Sequence, residues 1–357
     1  MSITGLHHIT LVTAHAQRNI DFYTGVLGLR FVKKTINFDD PSAYHLYFGD
    51  ATGAPGSAIT FFEWKDVAPG APGIGGTHHF ALCVADDTGL LKWKRRLIDL
   101  GVKFLAGPLD RKYFKSIYFN DPDGTIVEIA TAGPGFSVDE SIEQLGSTFI
   151  DSPVPMTIGQ RDETALANSS WPEPVPVITP DMALQHGMHH ITAICADIQR
   201  THAFYSDLLG LKRVKQTHNF DDPTSQHWYW SAGSAVGKPG TLVTYFERNP
   251  RREQRAKMGA GQTHHFALAV ADDETQLMWR DTLLRAGLRV SPVMDRIYFK
   301  SIYTNDPDGH IVELATVPPG FAIDEPLETL GQTLKLPPWL EPHRSEIEGA
   351  LTPLQSK

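Results

Sequence analysis

Apolar and polar residues alternate through His8-Ile9-Thr10-Leu11-Val12, the two-residue period of a half-buried strand. The period then lengthens: Ile20, Tyr23 and Leu27 fall on one face of a helix, and Gly28 ends it. Extended, β-rich segments follow. The pattern restarts further on, with a strand over residues 80–84 and Leu90, Trp93, Leu97 and Leu100 at helical spacing before Gly101. Two more strands, Ser116-Ile117-Tyr118-Phe119 and Thr125-Ile126-Val127-Glu128-Ile129, flank Asn120-Asp121-Pro122-Asp123-Gly124, whose Pro and Gly suit a tight connection. The predicted unit is βαβββ.

This unit is repeated. Residues 115–131 read KSIYFNDPDGTIVEIAT and residues 300–316 read KSIYTNDPDGHIVELAT, identical at 14 of 17 positions. Leu27-Gly28-Leu29 likewise matches Leu209-Gly210-Leu211, and Asn37-Phe38-Asp39-Asp40-Pro41 matches Asn219-Phe220-Asp221-Asp222-Pro223. The two Asp-Asp-Pro segments are expected to be turns. The chain divides into a half at 1–150, a linker at 151–182 rich in proline (Pro172, Pro174, Pro176, Pro180), a half at 183–332 and a polar tail at 333–357. Each half divides again, giving an α+β fold of four βαβββ modules in two duplicated halves.

Each module opens on a pair of histidines: His7-His8, His78-His79, His189-His190 and His264-His265, together half of the 16 in the chain. A lone strand histidine is usually a structural residue, but four in register point to ligands. Strand alternation sorts each pair. His264 shares a face with Phe266, Leu268 and Val270, whereas His265 shares one with Ala267 and Ala269, small neighbours that leave room; His8 aligns with Thr10 and Val12. The second histidine of each pair is therefore assigned to the cavity and the first to a supporting shell. Each half also carries one carboxylate in an otherwise apolar strand, Glu128 or Glu313. A metal compensates such a charge; the competing reading pairs it with Arg111 or Arg296. Two histidines and one carboxylate form the facial triad that leaves three positions open on non-haem iron.

Leu6-His7-His8-Ile9-Thr10, Leu27-Gly28-Leu29-Arg30-Phe31-Val32-Lys33-Lys34-Thr35, and Asn305-Asp306-Pro307-Asp308-Gly309 with Glu313 carry a resemblance. Over about residues 5–332 the chain resembles the vicinal oxygen chelate superfamily, which includes glyoxalases, bleomycin-resistance proteins and extradiol dioxygenases. More narrowly it looks like the hydroquinone-type ring-cleaving dioxygenases. That resemblance implies modules paired into curved mixed sheets around metal cavities. It also implies an Fe(II) cofactor, with Mn(II) accepting similar ligands, and an enzyme that opens an aromatic diol with O2. By the same resemblance the metal ligands are His8, His265 and Glu313, and the duplication supplies a second or vestigial set, His79, Glu128 and His190. The catechol-type pattern would instead replace His8 with His190. Arg296 and Tyr303 match cavity positions, with Arg111 and Tyr118 as their duplicates. Together with His264, Arg296 and Tyr303 are the expected catalytic residues, and His7 and Thr10 the expected substrate contacts. Two rivals share the fold: a glyoxalase-like isomerase and a drug-binding protein of the bleomycin-resistance kind.

Composition narrows the partners. A formal charge of -9 gives no basic surplus for nucleic acid. The opening residues lack the regions of a signal peptide, and no apolar run approaches a membrane span. Two cysteines, Cys83 and Cys195, each in an apolar run, are expected to be core residues of a cytoplasmic protein. Association into a homo-oligomer is compatible with all of this.

Overall fold

The computed structural model describes residues 1–150, 163–184, 187–220 and 222–355; parts of the linker and Asp221 of the second Asp-Asp-Pro segment lie outside these. Four βαβββ modules are present. The first runs β1 (Ile3–Thr13), α1 (Ala16–Ile20), β2 (Arg30–Asn37), β3 (Asp40–Gly49) and β4 (Ala58–Glu63). The second runs β5 (Thr77–Val84), α2 (Asp87–Asp99), β6 (Phe104–Asp110), β7 (Lys115–Asn120) and β8 (Ile126–Thr131). A short β9 (Phe149–Ile150) and α3 (Glu163–Asn168) fall in the connection. The third runs β10 (Met188–Cys195), α4 (Ile198–His202), β11 (Lys212–Asn219), β12 (Asp222–Ser231) and β13 (Leu242–Glu247). The fourth runs β14 (Thr263–Val270), α5 (Asp273–Arg285), β15 (Met294–Asp295), β16 (Lys300–Asn305) and β17 (Ile311–Thr316), and α6 (Arg344–Ala350) lies in the tail.

Local chemistry sets the helix boundaries. Asp86, Asp197 and Asp272 accept backbone N–H groups at the starts of α2, α4 and α5. Gly28, Gly101, Gly210 and Gly287 follow the helices with φ near +70 to +80°, a conformation that favours glycine. α1 and α4 each widen into a π-helical turn, Asp21–Val26 and Ala203–Leu208. Leu100, expected on the apolar face of α2, is half exposed because the helix has already ended at Asp99.

The strands form two sheets, in the orders β15-β16-β17-β14-β1-β4-β3-β2 and β6-β7-β8-β5-β10-β13-β12-β11-β9. The first joins module one to module four, and the second joins module two to module three. The halves 1–150 and 183–332 are thus units of sequence that interlace in space. The main core lies between the sheets and their helices, where Ile9, Leu11, Phe80, Leu82, Phe266 and Leu268 meet Tyr23, Trp93, Tyr205 and Trp279. The opposite face of each sheet carries a smaller cluster, and the two are copies. Tyr47, Ala267, Phe299 and Phe321 in one correspond to Tyr229, Ala81, Phe114 and Phe136 in the other. The turns between β7 and β8 and between β16 and β17 pin neighbouring modules: Tyr23 Oη donates to Asp121 at 3.0 Å, and Tyr245 Oη to Asp306 at 2.8 Å. Part of the linker packs along α2, where the Arg96 guanidinium donates to the carbonyls of Val175 and Pro176. Cys83 and Cys195 are buried free thiols. Among the described residues, no helix is long and apolar enough to cross a membrane.

Candidate metal centres

Strand register brings His8, His265 and Glu313 together. Ala267 of β14 pairs with His8 on one side and with Glu313 of β17 on the other, while Thr10 pairs with His265. The small alanine side chain leaves a space between the two donors. His8 Nε2 lies 3.2 Å and His265 Nε2 2.9 Å from Glu313 Oε2, and the two Nε2 atoms are 3.3 Å apart. The duplicate set is assembled in the same way around Ala81 of β5, which pairs with His190 and Glu128. Its separations are 2.9 Å for His79–Glu128, 3.2 Å for His190–Glu128 and 3.3 Å for His79–His190. Mutually perpendicular donors about 2.1 Å from a common ion stand about 3 Å apart, so both triads have the size of a facial metal site.

The first histidine of each pair does something that strict alternation misses. The β1–β14 ladder slips between Leu6 and His8 and between Thr10 and Leu11, and β5–β10 slips at the matching points. His7, His78, His189 and His264 are therefore bulge residues, and a bulge re-aims the side chain it carries. Instead of joining the core face, each turns onto its neighbour: the Nδ1–Nδ1 distances are 2.9, 2.8, 2.9 and 2.8 Å along the chain.

These contacts fix the protonation pattern of two ligands. Burial, and then the neighbouring His8, hold His7 down to about 3, so it is neutral. Its Nε2–H donates to the Thr316 carbonyl at 3.2 Å, which leaves Nδ1 bare to accept the Nδ1–H of His8. The lone pair of His8 Nε2 then faces Glu313. His189 repeats the arrangement on the Thr131 carbonyl, is also held at about 3 by burial and His190, and sets His190 the same way.

The carboxylates are fully buried, and Glu313 Oε2 and both oxygens of Glu128 have no hydrogen-bond partner. Oε2 of each glutamate instead faces two imidazole nitrogens at 2.9–3.2 Å. Burial pushes both glutamates up, but the adjacent imidazoles outweigh it and keep them well below the usual carboxylate range. A buried carboxylate facing bare imidazole nitrogens is a cation site by its donor chemistry. Neither glutamate takes the arginine alternative: Arg296 instead pairs with Asp39 at 2.9 Å.

The walls are duplicated as well. Tyr303 pairs in register with Glu313, and its ring lies 5.5 Å from that of His265; Tyr118 stands 5.7 Å from His79. Arg296 lies over Tyr303, and Arg111 over Tyr118. Burial, and then the Glu313 carboxylate, push the Tyr303 hydroxyl up, so it remains O–H. The expected substrate contacts lie elsewhere. His7 is behind His8 against Phe299, and the Thr10 hydroxyl is bonded to Thr60 at 2.8 Å. His264 backs His265 and packs on Phe62 and Trp64.

His45 and His227 were not anticipated. They line the cavities beside the two triads, each bonded to a threonine (Thr60 or Thr244) and a tyrosine (Tyr47 or Tyr229). The matched His45-Leu46-Tyr47 and His227-Trp228-Tyr229 segments were the available signal.

The family follows from comparison. A model of the Glyoxalase/Bleomycin resistance protein/Dioxygenase superfamily matches residues 5–129 and 187–314. The chain belongs to that superfamily. Among its relatives, "Putative ring-cleaving dioxygenase MhqO" of Bacillus subtilis (strain 168) is 35% identical over 98% of this chain and 96% of its own length. The chlorohydroquinone/hydroquinone 1,2-dioxygenase of Sphingobium indicum is 30% identical over 97% and 95%. The crystal structure of a "putative dioxygenase" from Bacillus subtilis subsp. subtilis str. 168 superposes with a TM-score of 0.79 at 32% identity, over 100% of this chain and 99% of that one. The superfamily's paired-module architecture is the one described above.

Proposed function

We propose that this superfamily member is a metal-dependent ring-cleaving dioxygenase that opens a hydroquinone or catechol-type diol with O2, using Fe(II) held by His8, His265 and Glu313. The observation that carries the reading is a buried triad with only three protein donors. It is supported by relatives named as ring-cleaving and hydroquinone dioxygenases along 95% or more of their lengths. Manganese suits the same donors.

Iron in this triad supplies open positions for the diol and O2 and a redox route between them. The chain's own residues bind, orient and exclude water. His7 holds His8 with its lone pair forward, and His264 backs His265, so neither ring needs to reorganise on binding. Tyr303 Oη keeps its proton and can donate to an oxygen of the diol or of the opening ring. The Arg296 guanidinium stabilises negative charge developing beside it. The free space at this triad is only about 20 Å³. Phe38 closes it, backed by Trp339 of the tail at 5.8 Å, as does the Arg296–Asp39 pair. Diol entry then displaces this exposed cover, and its return excludes solvent.

The test is oxygen uptake by protein reconstituted anaerobically with Fe(II), across a panel of hydroquinones and catechols. Uptake with at least one diol, reduced in Glu313→Gln, is expected. An iron-replete sample that consumes no oxygen with any diol overturns the proposal.

A further inference from the structure

We infer that His79, Glu128 and His190 form a second working centre, with its own metal and its own substrate cavity, selective for diols that carry an anionic ring substituent. The inference rests on the dioxygenase reading for the reaction but not for the metal.

Three observations carry it. The first is chemical completeness. A triad out of use has no reason to keep a fully buried carboxylate whose two oxygens lack any hydrogen-bond partner. Nor has it reason to keep the His189 ring 2.9 Å behind that of His190, the same pairing as His7 behind His8. The second is the wall. Asn219, Phe220, His227, Tyr229, Phe114 and Tyr118 line this cavity, and each repeats the residue type at the other centre: Asn37, Phe38, His45, Tyr47, Phe299 and Tyr303. The third is space. The cavity here is about 380 Å³, room for a substituted aromatic ring, against about 20 Å³ at the terminal triad.

The surroundings of the two centres differ at one telling position. Trp64, which packs on His264 and does not line the terminal cavity, corresponds in sequence to Arg248, which lines the larger one. Arg248 lies over Phe246 and pairs with Asp222 at 3.1 Å, a part-exposed contact of the kind that contributes little and is readily exchanged. With Arg111 it places two guanidinium groups on one cavity. A ring carboxylate can take the Arg248 fork in a bidentate pair, which tryptophan at the other centre cannot offer.

The experiment counts metals and measures binding separately from turnover. Fe(II)-reconstituted full-length chain is analysed for iron content, and crystals are examined by anomalous scattering at the iron edge. Two irons per chain are expected in the wild type. Glu128→Gln and, independently, His190→Asn should each lose the mid-chain iron and keep the terminal one, whose presence reports that the variant is folded. Glu313→Gln should show the reverse. In Glu313→Gln, anaerobic titrations compare 2,5-dihydroxybenzoate with hydroquinone. The carboxylated probe should bind more tightly, and Arg248→Trp should narrow the difference by about tenfold or more. Iron confined to the terminal triad overturns the inference while leaving the dioxygenase reading standing. Two irons with no preference for the carboxylated probe overturn its substrate assignment. Two irons and selective binding without oxygen uptake overturn the reaction alone.

Discussion

Lys33→Met should destabilise the protein by several kcal/mol without touching a metal ligand. Lys33 lies on the edge strand β2 with its side chain fully buried. Its ammonium is 2.7 Å from Asp324 Oδ1, hydrogen-bonded to Glu325, and 4.8 Å from the centre of the Tyr298 ring. It thereby ties module one to the segment that follows module four. Glu325 is only 5% exposed, and without Lys33 it keeps the Thr333 hydroxyl at 2.9 Å but loses the ammonium bonded to it. Removing one partner of such a pair costs about 3–5 kcal/mol. With an unfolding entropy of about 2.1 cal/mol/K per residue, a chain of 357 residues loses about 5 °C of melting temperature for about 4 kcal/mol. Calorimetry belongs on metal-free protein, since bound metal adds its own stabilisation. Lys33→Met/Glu325→Leu should recover most of the loss, because an apolar pair of similar volume is a fair substitute for a buried ion pair. A single variant that melts with the wild type, or a double variant no better than the single, refutes the reasoning. Lys215, buried against Asp139 and Glu140, provides the same test in the other sheet.

Three further outcomes follow from the geometry. Burial raises Asp306 from 3.8 to about 6, so its contribution to stability is complete below pH 4 and is lost as the pH rises through 6. Asp306→Asn should therefore gain about 3 kcal/mol relative to the wild type between pH 4 and pH 7, and parallel denaturation curves at the two pH values would sink this account. His7→Phe removes the acceptor that sets the His8 tautomer and should weaken iron binding at the terminal triad by about 10–100-fold in a chelator competition; unchanged affinity would show that the relay is incidental. Ala267→Val fills the space between His8 and Glu313 and should lower iron content by one per chain at a stability cost of about 1–3 kcal/mol. Full iron occupancy in a folded variant would contradict the register argument.

Much of this was legible because it is local. The 14-of-17 repeat and the change from two-residue to helical spacing located all four modules. The small residues beside His265 single out the member of that pair whose ring meets Glu313. What escaped is non-local or depends on a break in regularity. Alternation puts His7 with Ile9, but one extra residue in the strand reverses its side, and nothing in Leu6-His7-His8-Ile9 announces a bulge. The identity of the partner modules depends on pairing across the chain, which repeats of equal quality leave undecided, and only the family resemblance joins His8 to His265 and His79 to His190. His45 and His227 are single histidines in strands, and they gain significance only through the rings and hydroxyls that fold against them. The closed cover over the terminal triad depends on Trp339, in a tail whose polar composition gives no hint of that contact.

The interlacing of the halves imposes an order on biosynthesis. The histidine ligands of the mid-chain centre are 111 residues apart and belong to consecutive modules, whereas those of the other are separated by 257. A nascent chain can close the β5–β10 sheet once β13 has left the ribosome. At that point β1 still presents its β14-facing edge unpaired. At roughly 5–20 residues per second, the last module follows only after several seconds. During that interval a strand bearing two metal-seeking histidines is open to other chains, and translation speed through the fourth module becomes a determinant of how much protein survives to fold.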